Sequence, residues 1–195
     1  GIAEKYNKEI RKSKVPLILK LNGKTKLVDG EPKSAIIASV KDAVRLKAAA
    51  VGFTIYIGSK YEEEIIEEFV SVQREAHKKG FPVITWMYPR GKKIKNDVSR
   101  ENMAYATRVA LEIGADIAKI KYGGNVKDLE WAVKSAGRCK VVIAGGMKKS
   151  EREFYRDVKD IMTSGASGIA VGRNVWQSNN PIKLSRKLKE IIFKW

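Results

Sequence analysis

Residues 150–174 read SEREFYRDVKDIMTSGASGIAVGRN. Ser150 and Glu153 stand three apart, the spacing at which each side chain can meet the other's free backbone amide at a helix start. Phe154, Val158, Ile161 and Met162 then fall at i, i+4, i+7 and i+8, one face of a helix. Gly165 ends that periodicity. Gly168 to Val171 is a short apolar run, closed by Gly172. A capped amphipathic helix, a glycine and a buried strand make one αβ unit, and the rest of the chain repeats it.

Five further apolar runs lie upstream: Val15 to Leu21, Ala50 to Ile57, Phe81 to Tyr88, Ala115 to Tyr122 and Lys140 to Ala144. Most are apolar on both faces and rich in Val and Ile, as strands of a covered parallel sheet are. Glu62 to Lys79 carries Ile65, Ile66, Phe69, Val70 and Ala76 at helical spacing, with Gly80 behind it as a C-terminal cap. Ser39 with Asp42, and Ser99, mark two more helix starts. Asn180-Pro181 reads as the N-cap and first turn of a final basic helix. Small residues recur where helices hand over to strands, at Gly114-Ala115-Asp116 and Gly165-Ala166-Ser167. Strand and helix therefore alternate six times, which predicts an α/β fold with a parallel sheet and right-handed crossovers.

The runs begin about every 31 residues. Eight such units need ~250 residues, the usual size of a closed (β/α)₈ barrel. With 195 residues, spacing alone fits either an open six-stranded doubly wound sheet or a barrel short of two units. Either way residues 1–195 read as one domain. The chain starts at Gly1, which suggests a start that has been cut or lost.

Composition narrows the function. Lys and Arg number 39 against 22 Asp and Glu, a formal charge of +17. That charge suits either a nucleic-acid binder or a field that draws anionic substrates. Its carriers are mostly Lys and are scattered, and backbone binding needs a concentrated footprint. Nucleic acid is therefore not expected as a partner. No run of ~18 apolar residues exists to span a membrane. The single cysteine, Cys139, excludes a disulfide scaffold and a cysteine zinc site, and it reads as a buried, idle thiol. No metal-ligand cluster is visible, so neither metal nor cofactor is expected. His77, late in a helix, reads as a surface residue. With no basic-apolar signal segment at the start, a cytoplasmic protein is the expectation.

In parallel αβ folds chemistry gathers where the strands end. The third run ends Trp86-Met87-Tyr88-Pro89-Arg90-Gly91, and alternation puts Trp86 and Tyr88 on one face. They are either core fillers or a ring wall with a phenol that moves protons, Arg90 standing by as an anion donor. The fourth run holds Lys119 and Lys121 in an apolar strand, again on one face. Burying an ammonium is costly. Mutual repulsion and burial would each lower their pKa values toward the neutral amine that imine chemistry needs; the alternative is that they reach out to water. The last two runs end Ala144-Gly145-Gly146 and Val171-Gly172-Arg173-Asn174, where barrels of this kind hold phosphate on backbone amides.

Taken together, Trp86 to Gly91, Ala118-Lys119-Ile120-Lys121-Tyr122, Gly145-Gly146 and the ten residues Gly168 to Gln177 resemble the archaeal-type class I fructose-bisphosphate aldolases, within the DeoC/LacD-like aldolases. The likeness runs from Val15-Pro16-Leu17-Ile18 onward. It implies an aldolase-type (β/α)₈ TIM barrel, here with six of eight units and therefore open. It implies a lyase of glycolysis and gluconeogenesis that forms a Schiff base and reversibly splits fructose 1,6-bisphosphate into dihydroxyacetone phosphate and glyceraldehyde 3-phosphate. By the same resemblance, Lys119 is expected to be the catalytic imine former and Tyr88 the catalytic acid/base. Trp86, Arg90, Gly145, Gly146, Gly172 and Arg173 are expected to bind substrate. The expected partners are a phosphorylated sugar and further copies of the chain in a homo-oligomer. The family's first two strands, with an aspartate that assists the chemistry, have no counterpart here, and Gly123-Gly124-Asn125 stands where relatives carry Thr-Gly-Asp. Two rivals remain. One is the sibling 2-amino-3,7-dideoxy-D-threo-hept-6-ulosonate synthase, and the other is a catalytically weak truncated barrel that serves as a binding or assembly partner.

Overall fold

The computed structural model describes residues 1–25, 27 and 29–193. The chain opens with α1 (Ile2–Lys5) and α2 (Asn7–Ser13), then β1 (Ile18–Lys20), the short hairpin β2 (Asn22–Gly23) and β3 (Ala35–Ile36), and α3 (Val40–Leu46). The regular alternation follows: β4 (Ala50–Ile57), α4 (Glu62–Lys78), β5 (Val83–Pro89), α5 (Arg100–Glu112), β6 (Ile117–Lys121), α6 (Val126–Ser135), β7 (Lys140–Ala144), α7 (Glu151–Thr163) and β8 (Gly168–Ala170). A single turn, α8 (Arg173–Trp176), leads to the terminal helix α9 (Pro181–Phe193).

The six expected strands form one sheet in the order β1-β4-β5-β6-β7-β8, every neighbouring pair parallel. Each new strand joins the same side of the one before it. A doubly wound sheet reverses its strand order at a switch point; this one does not, and it is a barrel wall. β1 and β8 are its two edges and do not pair, so the wall is an open half-barrel, as expected. The first strand is shorter than its apolar stretch suggested: Ile18–Lys20 pair in register with β4, Leu17 and Leu21 add one backbone hydrogen bond each at the two ends, and the chain then turns into the hairpin.

The two faces of the wall differ. Phe53, Ile55, Val83, Met87, Ala118, Ile120, Val141 and Ile143 point outward and are buried beneath the helices, against Phe69 and Ala76 of α4, Met103, Ala106 and Ala110 of α5, Leu129 and Ala132 of α6, and Ile161 of α7. Burying such apolar area, at roughly 25 cal/mol per Å², fixes the helices to the wall. The inner face carries the other parity. One register row runs Thr54, Trp86, Lys119, Val142, Gly168 across five strands. A second small core joins Phe154, Val158 and Met162 of α7 to Leu184, Leu188 and Ile191 of α9.

The helix starts read from sequence hold. Ser39 with Asp42 and Ser150 with Glu153 form complete capping boxes, and Ser99 accepts from the Asn102 amide. Asn180 Oδ1 accepts from the Lys183 amide, 3.0 Å away, at the head of α9. Gly80, Gly114 and Gly165 take positive φ directly after α4, α5 and α7, where a side chain would be strained.

Candidate active site

Lys119 sits mid-strand in β6, half-buried on the inner face, with Nζ 4.8 Å from the centroid of the Trp86 indole. The indole comes from the register partner on β5. It can lie across the wall because Gly52 on β4 has no side chain: a Cβ there would stand 2.3 Å from the ring. Burial holds the Lys119 ammonium below the usual lysine range, and a second positive charge lowers it further.

That second charge is not the expected one. Lys121 does share the face of Lys119, but its Nζ is ion-paired to Asp97 of the β5–α5 loop. The expected mutual repulsion of the two lysines gives way to that pairing. The charge felt by Lys119 is Lys20, on β1 across the wall, whose Nζ lies 5.9 Å from the same Trp86 ring. Sequence reading passed over Lys20 because it ends a three-residue strand and looks like any surface lysine in a lysine-rich chain. Lys20 Nζ donates to the backbone oxygen and to Oδ1 of Asn22. Asn22 is buried and locked: its Nδ2 donates to the Thr54 oxygen at 2.9 Å, and its Oδ1 accepts from the Thr54 amide at 2.7 Å.

Tyr88 lies two residues above Trp86 on the same face, paired in register with Tyr56, their rings 6.4 Å apart. Burial pushes the Tyr88 phenol up, so it holds its proton near neutrality; the Arg90 guanidinium, 4.9 Å from the ring centroid, pulls the other way. Arg90 in turn faces Asp97, with Nε 3.6 Å from Oδ2. β5 and β6 stop pairing above Trp86 and Lys119. Asp97 and Val98 of the loop fill the opening: Asp97 bridges Arg90 to Lys121, and Val98 packs so closely on Gly123 that a Cβ there would stand 2.6 Å from its backbone oxygen. Asp97 was invisible in the sequence because its partners are seven residues back and twenty-four ahead.

The four residues expected to cradle phosphate also meet, at the ends of β7 and β8. A Cβ on Gly145 would stand 2.9 Å from Val171, and one on Gly172 2.6 Å from Trp176. Arg173 Nη2 donates to the Gly146 oxygen at 3.2 Å. Buried Asn174, also missed from sequence, stitches the two turns: Nδ2 donates to the oxygens of Gly145 (2.7 Å) and Met147 (2.9 Å), and Oδ1 accepts from the Lys149 amide (2.9 Å). The two expected groups thus occupy one rim of one wall, Lys121 being the register partner of Ala144 just before the glycine pair.

The remaining candidates stay apart from this rim. Cys139 is buried, and burial raises its thiol to about 11. His77 is exposed at the end of α4, with Nε2 2.9 Å from Asp116. Among the described residues no group of three or more His, Cys, Asp or Glu is arranged to hold a metal, and no helix is long and apolar enough to cross a membrane.

Residues 1–178 match the family model for DeoC/LacD family aldolases. The chain is 50% identical over 194 residues to the class 1 fructose-bisphosphate aldolase of Thermoproteus tenax, covering 99% of this chain and 72% of that protein. It is 38% identical over 176 residues to 2-amino-3,7-dideoxy-D-threo-hept-6-ulosonate synthase 1 of Archaeoglobus fulgidus, covering 90% of this chain and 65% of that one. The fold superposes with a TM-score of 0.92, at 46% identity, on an archaeal fructose-1,6-bisphosphate aldolase whose catalytic Lys is bound covalently to the carbinolamine intermediate of its substrate, covering 96% of this chain and 75% of that one. By sequence and by fold, the chain belongs to the DeoC/LacD aldolase family, in its archaeal-type class I fructose-bisphosphate aldolase branch.

Proposed function

We propose that this site is a Schiff-base aldolase centre acting on fructose 1,6-bisphosphate, with Lys119 as the imine former. The observation that carries the reading is Lys119, held half-buried with its Nζ 4.8 Å from the Trp86 ring centroid, with a proton-retaining phenol two residues above the indole on the same face. The neutral Lys119 amine attacks the C2 ketone. The carbinolamine loses water to give an iminium, which draws electrons more strongly than the ketone did. As the C4 hydroxyl loses its proton, the C3–C4 bond breaks. Its electron pair enters the iminium to form an enamine, and glyceraldehyde 3-phosphate departs. Protonation of C3 and hydrolysis return the amine and release dihydroxyacetone phosphate. Tyr88 moves these protons, its phenol serving as donor and, briefly deprotonated, as acceptor. Because the iminium is the electron sink, the chemistry needs no cofactor.

The glycine turns and Arg173 hold one phosphate of the sugar, converting binding away from the reacting carbon into placement of C2 over Lys119. The greater identity to the Thermoproteus tenax aldolase than to the Archaeoglobus fulgidus synthase favours fructose 1,6-bisphosphate over the sibling's substrates.

The test is reduction of the imine in place. Incubation with dihydroxyacetone phosphate and borohydride, followed by peptide mapping, should leave a stable adduct on Lys119, and Lys119→Met should abolish it. A label on Lys121 with Lys119 free, or no label at all, would overturn the assignment. An adduct on Lys119 without cleavage of fructose 1,6-bisphosphate would leave a binding role in place of catalysis.

A further inference from the structure

We infer that Lys20 is the positioning cation of this site: a fixed positive charge across the wall that keeps Lys119 in its reactive neutral form. The inference deepens the aldolase reading and rests on it for its purpose. The geometry is specific. Two ammonium groups, from strands on either side of it, share one indole, at 4.8 and 5.9 Å from its centroid. They are not equivalent. Lys20 donates to two oxygens of Asn22, acceptors that favour the charged form. Lys119 faces the apolar ring instead. Burial lowers both amines below the usual lysine range, but only Lys119 is lowered further by the other's charge. When one proton must leave such a pair, it leaves Lys119.

The arrangement around Lys20 is built rather than incidental. Asn22 cannot drift, because its side-chain amide takes both hydrogen bonds that the Thr54 backbone offers. It extends the sheet by one step where β1 stops pairing with β4, and the oxygens that grip Lys20 are therefore part of the wall. Thr54 is itself the register partner of Trp86. The chain of contact runs from Lys20 through Asn22 and Thr54 to the same row that carries Trp86 and Lys119.

The other ionisable groups facing Lys119 do not supply this charge. Tyr88 from β5 keeps its proton, because burial pushes its phenol up, and Tyr56 from β4 brings a phenol and no cationic group. Lys121, next on β6, is neutralised by Asp97, which also meets Arg90. Lys140 stands at the opposite end of β7, and β7 and β8 otherwise offer Val142, Ala144 and Ala170 along this face.

The measurement is the pH profile of Lys119 itself, without substrate. Trace acetic anhydride labels only neutral amines, and mass spectrometry of the Lys119 peptide between pH 6 and 11 reads the neutral fraction. Wild-type protein should half-react below the ordinary lysine range. Lys20→Met should move the profile upward and lower the labelling of Lys119 near pH 7.5 by roughly two- to fivefold, the worth of losing one strongly screened unit charge nearby. Lys20→Gln should do the same, Lys20→Arg should restore the wild-type profile, and Lys121→Met should leave it in place. Overlapping profiles for wild type and either neutral Lys20 variant would overturn the inference, as would a shift in Lys121→Met equal to that in Lys20→Met. Imine trapping is scored separately. A Lys119 that titrates with Lys20 but never traps dihydroxyacetone phosphate refutes the aldolase reading and not the tuning; trapping with an unmoved profile does the reverse.

Discussion

At the scale of single residues, the site depends on an absence. Trp86 reaches Lys119 because Gly52 leaves room for the ring, and the Cβ of an alanine would sit 2.3 and 2.6 Å from two indole carbons. Contacts that short must be relieved, and a ring in a β-strand row relieves them by moving. Gly52→Ala should therefore destabilise the protein by about 1–3 kcal/mol, the usual cost of overpacking, and push the indole off Lys119. With 5-fluorotryptophan incorporated, the ¹⁹F resonance of Trp86, assigned by its loss in Trp86→Phe, should shift. An unshifted resonance with wild-type melting would show that the ring does not rest on Gly52. The sequence made Trp86, Tyr88 and Lys119 legible because alternation along a strand assigns faces without knowing the neighbours. It could not make Gly52 or Lys20 legible: what matters about each is a contact across strands, set by register, and register is not written in either strand alone.

At the scale of elements, the strand ends are held by side chains reaching between loops. Asn174 is buried and satisfies three backbone groups on the turn after β7 while standing on the turn after β8. Asn174→Ala would strand those groups, at about 1–3 kcal/mol for each that stays dry, and would let the two glycine turns part. Affinity for inorganic phosphate, read by calorimetry, should fall at least as much as in Arg173→Ala. Phosphate binding that survives Asn174→Ala unchanged would place the cradle elsewhere. The helices and strands themselves were plain in the sequence, since capping boxes and periodicity are local signals. Ser150 with Glu153 and Ser39 with Asp42 fold as read. The hairpin of Asn22–Gly23 with Ala35–Ile36 was not, because two-residue strands leave no period to detect. The pairing of Lys121 with Asp97 was missed for a related reason: the loop that carries Asp97 enters a gap that exists only because β5 and β6 diverge.

At the scale of the whole molecule, the wall has a sealed side and an open one. The outward face is covered by helices, but Ile18 on the inner face is 47% exposed, and Trp86, Ile117, Val142 and Ala170 are only partly covered. The spacing of the apolar runs foretold six strands and left two architectures open, and the monotonic strand order shows which of the two they build. Strand number, shear and tilt are linked in a barrel, so six strands laid on the curve of eight leave β1 and β8 apart with unpaired backbone groups. Such edges invite pairing with another chain. Opposing that, two copies each bring a formal charge of +17, and the repulsion acts over ~10 Å at 0.1 M salt and ~3 Å at 1 M. The balance has a sign that can be measured. A polypeptide of these 195 residues should associate more strongly as salt is raised, and light scattering on a sizing column should show its mass growing between 0.05 and 1 M sodium chloride at fixed protein concentration. Lys or Glu placed at Ile18, charging the inner edge, should reduce that growth without unfolding the helices, which pack on the other face. A monomer that stays monodisperse across both salt and protein concentration would mean that the open wall does not seek a partner.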